Sequence, residues 1–483
     1  MTVEKPVAEA TVDGKRFDVV RASVTLAVND IPTVELLCAP DVYKDMSITA
    51  WKYRELAQKA ERRDAPVDVS VLLADASMKS HGGPMSMGLA LRGWILVGAG
   101  MSSLSATGAP SLVVIAQHPI CLLSSSGSIY EDPRSDLRKK IGEAVADKRN
   151  ILDIFSAAYD TVADDSLFAN AGSENLREFR YGLVRHKPEK YLEYREGVSG
   201  MFPYVKGDGD KFASLQAMAM GDLVFGRSMG GSTWDALLDA MGDLMLSVVQ
   251  DGTRNYTRDR LLLEPMDPWK LPAVTLRAED CSSTTLPGMD SAMVSGAVAR
   301  CPSPLKPNIT QGIKGNAMKN LPREYVSYIP DAAKDQNGRI IKTTAPLTLL
   351  NALMYDLPKG KSIDAGFTVL KQEWGVEYNL AAERYCRALY EISAAAMSQA
   401  TATMALMTHD VDNRIVVPGQ SCVFTSHGVE IYYGYIRRVE HNISSDGRCW
   451  TSVSMSHVRP EENYKIGART AIQAGRGNAA YRK

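Results

Sequence analysis

The sequence predicts an α+β chain in which two antiparallel β modules flank a mixed, helix-containing middle region. Three observations carry this expectation. Stretches with period-two alternation gather towards the two ends of the chain. Helical spacing dominates between them. The closing hairpin of the first β region also resembles the closing hairpin of the second.

In the first region, Val20, Ala22, Val24, Leu26 and Val28 alternate with Val19, Arg21, Ser23, Thr25 and Ala27, as in a strand with one buried face. An Asn29-Asp30 turn leads to IPTVELLCAP, its hairpin partner. Residues 50–63, AWKYRELAQKAERR, are charge-rich helix formers and predict a helical excursion over about 43–63. Strands resume at PVDVSVLLAD, LALRGWILVG and SLVVIAQHPICLL, so residues 1–125 make the first β module.

Residues 126–280 read as a mixed α/β middle domain. Ser232 is suited to cap a helix with Trp234, Leu237, Leu238, Met241, Leu244, Met245 and Val248 on one stripe. Asp235, Asp239 and Asp243 fall on another face, which is solvated rather than metal-binding. Residues 281–372 are rich in Ser, Pro, Gly and Asn and read as a loop-rich interface segment, too long for a plain connector. The second β module, 373–463, opens with a helix over about Asn379 to Met397 and continues through VVPGQSCVF, YYGYIRRVEHNIS and TSVSMSHVRP. Residues 464–483 form a basic C-terminal tail.

Composition narrows the function. At 483 residues with 45% hydrophobic content, the chain can hold about three domains with ordinary cores. Its 55 Lys+Arg against 56 Asp+Glu argue against nucleic-acid binding as the main activity. No apolar run approaches a membrane span, so no membrane insertion is expected. The opening MTVEKPVAEATVDGKRFD lacks an apolar h-region, so no secretory signal is expected either. The seven cysteines (Cys38, Cys121, Cys281, Cys301, Cys386, Cys422, Cys449) form no C-x-x-C pair and read as small buried side chains.

The repeat joins LRGWILVGAGMSSLSATGAPSLVVIAQHP to YYGYIRRVEHNISSDGRCWTSVSMSHVRP. Gly93-Trp94-Ile95 aligns with Gly434-Tyr435-Ile436, Ser102-Ser103 with Ser444-Ser445, and His118 with His457. Gly93, Trp94, His118, Gly434, Tyr435 and His457 are therefore the positions that mark a structural repeat.

A competing motif is Gly226-Arg227-Ser228-Met229-Gly230, which fits the G-x-S-x-G nucleophile elbow, with HGGP at His81–Pro84 as a possible oxyanion loop. The elbow needs a buried strand before the serine and a helix directly after it. Here the upstream apolar run is three residues, Leu223 to Phe225, and the helix signal starts only after Ser232. The base would have to be His409, His427, His441 or His457, all in or beside the C-terminal β block. A serine hydrolase using Ser228 stays the alternative. Asp208 and Asp210 lack the spacing of a calcium loop. No catalytic residue, metal site or cofactor site is expected.

The order of elements resembles a family. RFDVVRASVTLAVNDIPTVELLCAP, GSTWDALLDAMGDLMLSVVQDG with LLLEPMDPWKLPAV, and the closing VVPGQ, YGYIRRVEHNIS and TSVSMSHVRP are similar to the baseplate hub proteins of tailed bacteriophages, a group that includes the hub part of type VI secretion spike proteins. The resemblance implies two tube-like antiparallel β-barrel modules per chain and a homotrimer whose six modules form a ring. It implies a structural, non-enzymatic role joining the sixfold tail tube to the threefold central spike for genome ejection. The implied partners are the tail tube protein, the central spike protein and other baseplate proteins, with DNA passing the lumen only transiently. The implied location is the virion tail, after assembly in the host bacterial cytoplasm.

Overall fold

In the computed structural model, residues 8–38, 46–63, 65–71, 89–103, 110–125, 192–194, 246–250, 261–266, 272–288, 297–300, 325–328, 348–350, 398–405, 416–443 and 449–459 are described, with isolated positions between them. The first β region contains β1 (Ala8–Val12), β2 (Lys15–Ala27), β3 (Thr33–Cys38), helix α1 (Met46–Arg62), β4 (Pro66–Val71), β5 (Leu89–Ser103), β6 (Pro110–Gln117) and the short α2 (Cys121–Ser125). Its strands pair in the order β1-β4-β5-β6-β3-β2, and β2 pairs back to β1, which closes a six-stranded antiparallel barrel. Closure pairs residues 15–19 of β2 with β1 and residues 89–95 of β5 with β4, and so shortens the exposed edges that an open sheet of this size would leave.

The barrel follows from alternation. Along β2, Ala22, Val24 and Leu26 are buried while Ser23, Thr25 and Ala27 are half-exposed. The inward set meets Val34 and Leu36 of β3, Val114 and Ala116 of β6, and Trp94 and Leu96 of β5 in one cluster. Leu56 and Ala60 of α1 join that core, with Tyr53 packed against it. The helix is also tied to the β1–β2 turn. Lys59 pairs with Asp13 and, at 3.1 Å, with Glu55, which bonds Lys15 at 2.6 Å. Exposed pairs of this kind each contribute about 0–1 kcal/mol, so the apolar seat of Leu56 and Ala60 decides where α1 lies.

Between the two β regions, β7 (Leu192–Tyr194), β8 (Leu246–Val249) and β9 (Leu261–Pro265) form a small sheet in the order β7-β9-β8. The second region begins with β10 (Val274–Arg277) and β11 (Cys281–Gly288), joined by a single 3-10 turn, Ala278–Asp280. Then come β12 (Ala297–Arg300), β13 (Tyr325–Tyr328) and β14 (Thr348–Leu350), a separate sheet in the order β13-β12-β14. Finally β15 (Gln399–Ala405), β16 (Ser421–Ser426), β17 (Val429–Ile443) and β18 (Cys449–Arg459) complete a six-stranded path, β10-β16-β17-β18-β15-β11. Its core gathers Val274, Leu276, Ala402, Met404, Val439, Val453 and Met455, with Phe424 and Tyr432 stacked at 4.7 Å.

Two expectations change. The described chain is mostly β: among the described residues the α-helical parts are α1, α2 and residues 234, 235, 237 and 238. The helix expected over 379–397 lies outside the described residues. The second β module is not a second closed barrel among the described ladders. β10 runs straight on into β11 instead of folding back on it, and β10 pairs with β16 in parallel, whereas β1 pairs with β4 antiparallel. The segment 281–372, read as loop-rich, supplies β11 to β14. Its first strand, CSSTTLPG, escapes periodicity because Ser282 to Thr285 are all hydroxylic and carry no apolar face.

The alternation makes a sharp comparison available. Leu36 is fully buried in the barrel core, while its neighbour Glu35 points to the opposite, wet face. Leu36→Ala should cost about 2–5 kcal/mol and Glu35→Ala no more than about 0.5 kcal/mol, measured by guanidinium unfolding of the full chain.

Candidate functional surface

The two β regions are joined edge to edge. Residues 438–443 of β17 pair antiparallel with residues 27–22 of β2, with Arg438 opposite Ala27, Glu440 opposite Thr25, Asn442 opposite Ser23 and Ile443 opposite Ala22. The Val28 N–H donates to the Arg437 carbonyl at 2.9 Å just beyond this ladder. Both strands are long enough to divide their length between two partners. β2 uses residues 15–19 for β1 and 22–27 for β17. β17 uses residues 429–435 for β16 and 438–443 for β2.

The result is an unbroken run of eight strands, β5-β6-β3-β2-β17-β18-β15-β11, with four from each region. Directly paired residues share a face, so the ladders define rows across this sheet. One row runs Gln117, Thr33, Thr25, Glu440, Ser452, Thr403, Ser283. The next runs Ala27, Arg438, Ser454, Thr401, Thr285. The row between them is buried, as in Leu26, Val439, Val453 and Ala402. One face of the sheet thus packs on the cores; the other is wet and mostly hydroxylic along these two rows, while the row Ile115, Glu35, Ser23, Asn442, Trp450 on the same face adds apolar side chains. The charges on this face meet their opposites locally: Arg438 pairs with Glu440, and Arg21 lies 4.0 Å from Glu35. Cross-strand bonds between hydroxyls, such as Thr285 to Thr401 at 2.7 Å, order the far end.

The two halves of this sheet share two irregularities. Ladder irregularities fall between Leu96 and Gly98 in β5 and between Ile436 and Arg438 in β17. They also fall between Val19 and Arg21 in β2 and between Cys281 and Ser283 in β11. Bulges re-aim a strand and are specific features of a fold.

The six repeat-marking residues are distributed as follows. His118 and His457 follow Gln117 and Ser456, which lie opposite Ile95 and Tyr435. Counted along the ladders, Tyr435 therefore corresponds to Ile95, and Trp94 to Gly434, one residue away from the sequence alignment. Trp94 points into the barrel core and meets His118 edge-on at 6.2 Å. Tyr435 points the other way, packs with Val28, Val249 and Leu262, and meets His457 edge-on at 5.9 Å. The two glycines also differ. Gly93 has φ +67° at a bulge opposite Asp68, whose carboxylate accepts its N–H at 2.7 Å. Gly434 sits where an added Cβ would lie 3.3 Å from Met455.

Tyr435 marks where the middle strands dock. The Asn29 N–H donates to the Val248 carbonyl at 3.0 Å, and the Val248 N–H donates to the Asn29 side-chain oxygen at 2.8 Å. The Pro268 carbonyl accepts from Arg459 Nη2 at 2.8 Å. Sequence reasoning placed Asn29 in a turn but gave no sign of this second task.

Chemistry is sparse among the described residues. No group of three His, Cys, Asp or Glu side chains could hold a metal, and no helix is long and apolar enough to cross a membrane. Cys38 and Cys422 are buried thiols pushed up to about 12, so neither offers a thiolate at neutral pH. Ser228, the HGGP stretch, Asp208 and Asp210 lie outside the described residues. Ser232 does cap: its Oγ accepts the Asp235 N–H at 3.1 Å, and its own N–H donates to the Asp235 carboxylate at 3.1 Å.

No protein-family model matches the chain, and no curated protein sequence matches it. Among solved structures it is similar to a tail protein from Neisseria meningitidis MC58, with 10% identity, TM-score 0.44, and 93% of this chain and 96% of that one covered. It is similar to the 43 kDa tail protein of prophage MuSo2 from Shewanella oneidensis, with 9% identity, TM-score 0.43, and 93% and 97% covered. A third similar structure is the E. coli c3393 protein, with 8% identity, TM-score 0.39, and 94% and 77% covered. That protein is described as a component of the type VI secretion system with structural similarity to the bacteriophage T4 tail proteins gp27 and gp5.

Burial lowers the His118 imidazole from its usual 6.5 to about 4. The unfolded chain takes up this proton near pH 6.5 and the folded chain only near 4. The stabilisation is therefore complete above pH 6.5 and is lost as pH falls, by about 3 kcal/mol in all. Denaturant melts at pH 7, 5.5 and 4 should show a weaker loss on acidification in His118→Asn than in the parent.

Proposed function

We propose that the chain is a structural component of a phage-type tail, a homotrimeric baseplate hub that joins the sixfold tail tube to the threefold central spike. The observation that carries this reading is the eight-stranded sheet built from two four-stranded halves of the same strand order. A chain with two similar modules is suited to a place where sixfold and threefold partners meet. Three copies supply six modules to the tube and three identical faces to the spike.

Three such sheets would bring 24 strands into one wall. At about 4.8 Å per strand and some 40° of tilt, that wall encloses roughly 50 Å measured backbone to backbone. The hydroxyl-lined face would turn inward, giving a wet lumen that lets DNA pass during ejection without holding it. The small sheets of the middle segments are then free to contact other baseplate proteins. The assembly belongs in the virion tail and forms in the host bacterial cytoplasm. No catalytic residue, metal or cofactor takes part.

Electron microscopy of the purified chain, alone and with the spike protein from the same genome, tests the reading. A threefold ring with six similar lobes and a central opening is the expected result, and compact monomers in both samples would overturn it. Ser228→Ala should leave infectivity unchanged. If the purified chain turns over an activated ester and Ser228→Ala abolishes that turnover, the serine hydrolase reading replaces the hub.

A further inference from the structure

The ladder between β2 and β17 does not by itself fix the angle between the two β regions. Neighbouring strands rotate against one another by anything from about 10° to 35°, so a single ladder leaves room to twist and bend. The large cores on either side of the ladder stay separate. Ile443 belongs to the core of the first barrel and Val439 to that of the second region. A third, small cluster spans the joint. It holds Val28 from the first region, Tyr435 from the second, and Val249 and Leu262 from the middle sheet, with Met266 packed against it.

Each region holds the middle sheet by contacts of its own. On the first side, Asn29 stands at φ +60° and makes two hydrogen bonds with Val248, one through its backbone N–H and one through its side-chain oxygen. On the second side, the turn 416–420 is pinned to β17 by two backbone bonds of 2.9 Å. The Gly419 N–H donates to the Ile436 carbonyl, and the Ile436 N–H donates to the Gln420 carbonyl. Gly419 has φ +95°, and a Cβ there would lie 2.5 Å from Cβ and Cγ1 of Val249. Only glycine serves this position, because β8 rests directly on the bare backbone of the turn. The same turn enters both large cores, Val417 in the first and Val416 in the second. The chain leaving β9 is strapped to the second region as well. The Pro268 carbonyl accepts from Arg459 Nη2 at 2.8 Å and from Ser421 Oγ at 3.4 Å, and the Ala273 N–H donates to the Ser421 carbonyl at 2.7 Å.

We propose that the sheet β7-β9-β8 is a clasp that sets and holds the angle between the two β regions, with Asn29 and Gly419 as its two catches. With both catches closed, the two regions and the middle sheet move as one body. With β8 drawn away, the ladder between β2 and β17 remains but is free to bend, and it opens more often. Coupling of this kind is reciprocal. A protein that binds the middle sheet and favours its displacement therefore loosens the angle between the regions, and one that favours the docked position stiffens it. The clasp lies within one chain and does not rest on the hub reading.

Amide hydrogen exchange of the full chain, read by mass spectrometry, tests the clasp with two variants. Asn29→Gly keeps the left-handed backbone conformation and removes only the side-chain acceptor for Val248. Gly419→Ala instead drives a methyl group into Val249. In each variant the amides of residues 246–249 should exchange at least tenfold faster than in the parent, and so should those of the joint, 22–27 and 438–443. Residues 112–117 of β6, which have no part in the joint, should stay within twofold of the parent. Faster exchange in β8 with an unchanged joint would overturn the clasp, because the ladder would then hold its own angle. Unchanged exchange in β8 in either variant would overturn the two catches. Acceleration of residues 112–117 equal to that of the joint would also overturn it, since the barrel would then be loosened as a whole.

Discussion

Six residue pairs between β2 and β17 make one sheet of two β regions, and most of the molecule is arranged around them. To take part, each strand must serve its own region along one half and its neighbour along the other. That accounts for their 13 and 15 residues, well beyond the usual five or six. It also accounts for the bulge after Ile436, where β17 leaves β16 and turns to β2. The middle strands dock at the same seam, with Asn29 from the β2–β3 turn and Tyr435 from β17 both reaching the β8 side.

The wet face gains its character from what is short as much as from what is polar. Serine and threonine fit a strand, hold water and offer neither long flexible arms nor uncompensated charge. Durable contact with a nucleic-acid backbone needs several free cations facing phosphates. On this face Arg21 and Arg438 lie beside Glu35 and Glu440. Such a surface suits a passage better than a binding site, which agrees with the balanced charge of the whole chain.

What the sequence made legible depended on whether a strand had one apolar side. β2 alternates through Ala22, Val24 and Leu26 and could be read directly. β11 could not be read, because Ser282 to Thr285 are hydroxylic and Cys281 alone reaches the apolar core. β17 alternates only in pieces, since Arg437 and Arg438 at its bulge interrupt the pattern. The closing hairpins looked alike through a glycine, an aromatic and a histidine, yet the ladders set the two aromatics one step apart and on opposite faces. A one-residue slip changes the face of a side chain but hardly changes an alignment of short hairpins. The joint itself had no signal at all, because nothing local in a strand says which distant strand will fill its edge.

The distance along the chain between the joined strands sets an order of events during synthesis. Every strand of the first barrel has been made by Gln117, but the partner of Ala22 is Ile443. At about 5–20 residues per second, the ribosome needs roughly 15 to 65 seconds to cover that interval. Through that time residues 22–27 stand as an unfilled edge on an otherwise finished barrel, on a nascent chain surrounded by others like it. The outward residues there, Ser23, Thr25 and Ala27, are small and weakly apolar, and they give a stray strand little to hold before the rightful one arrives.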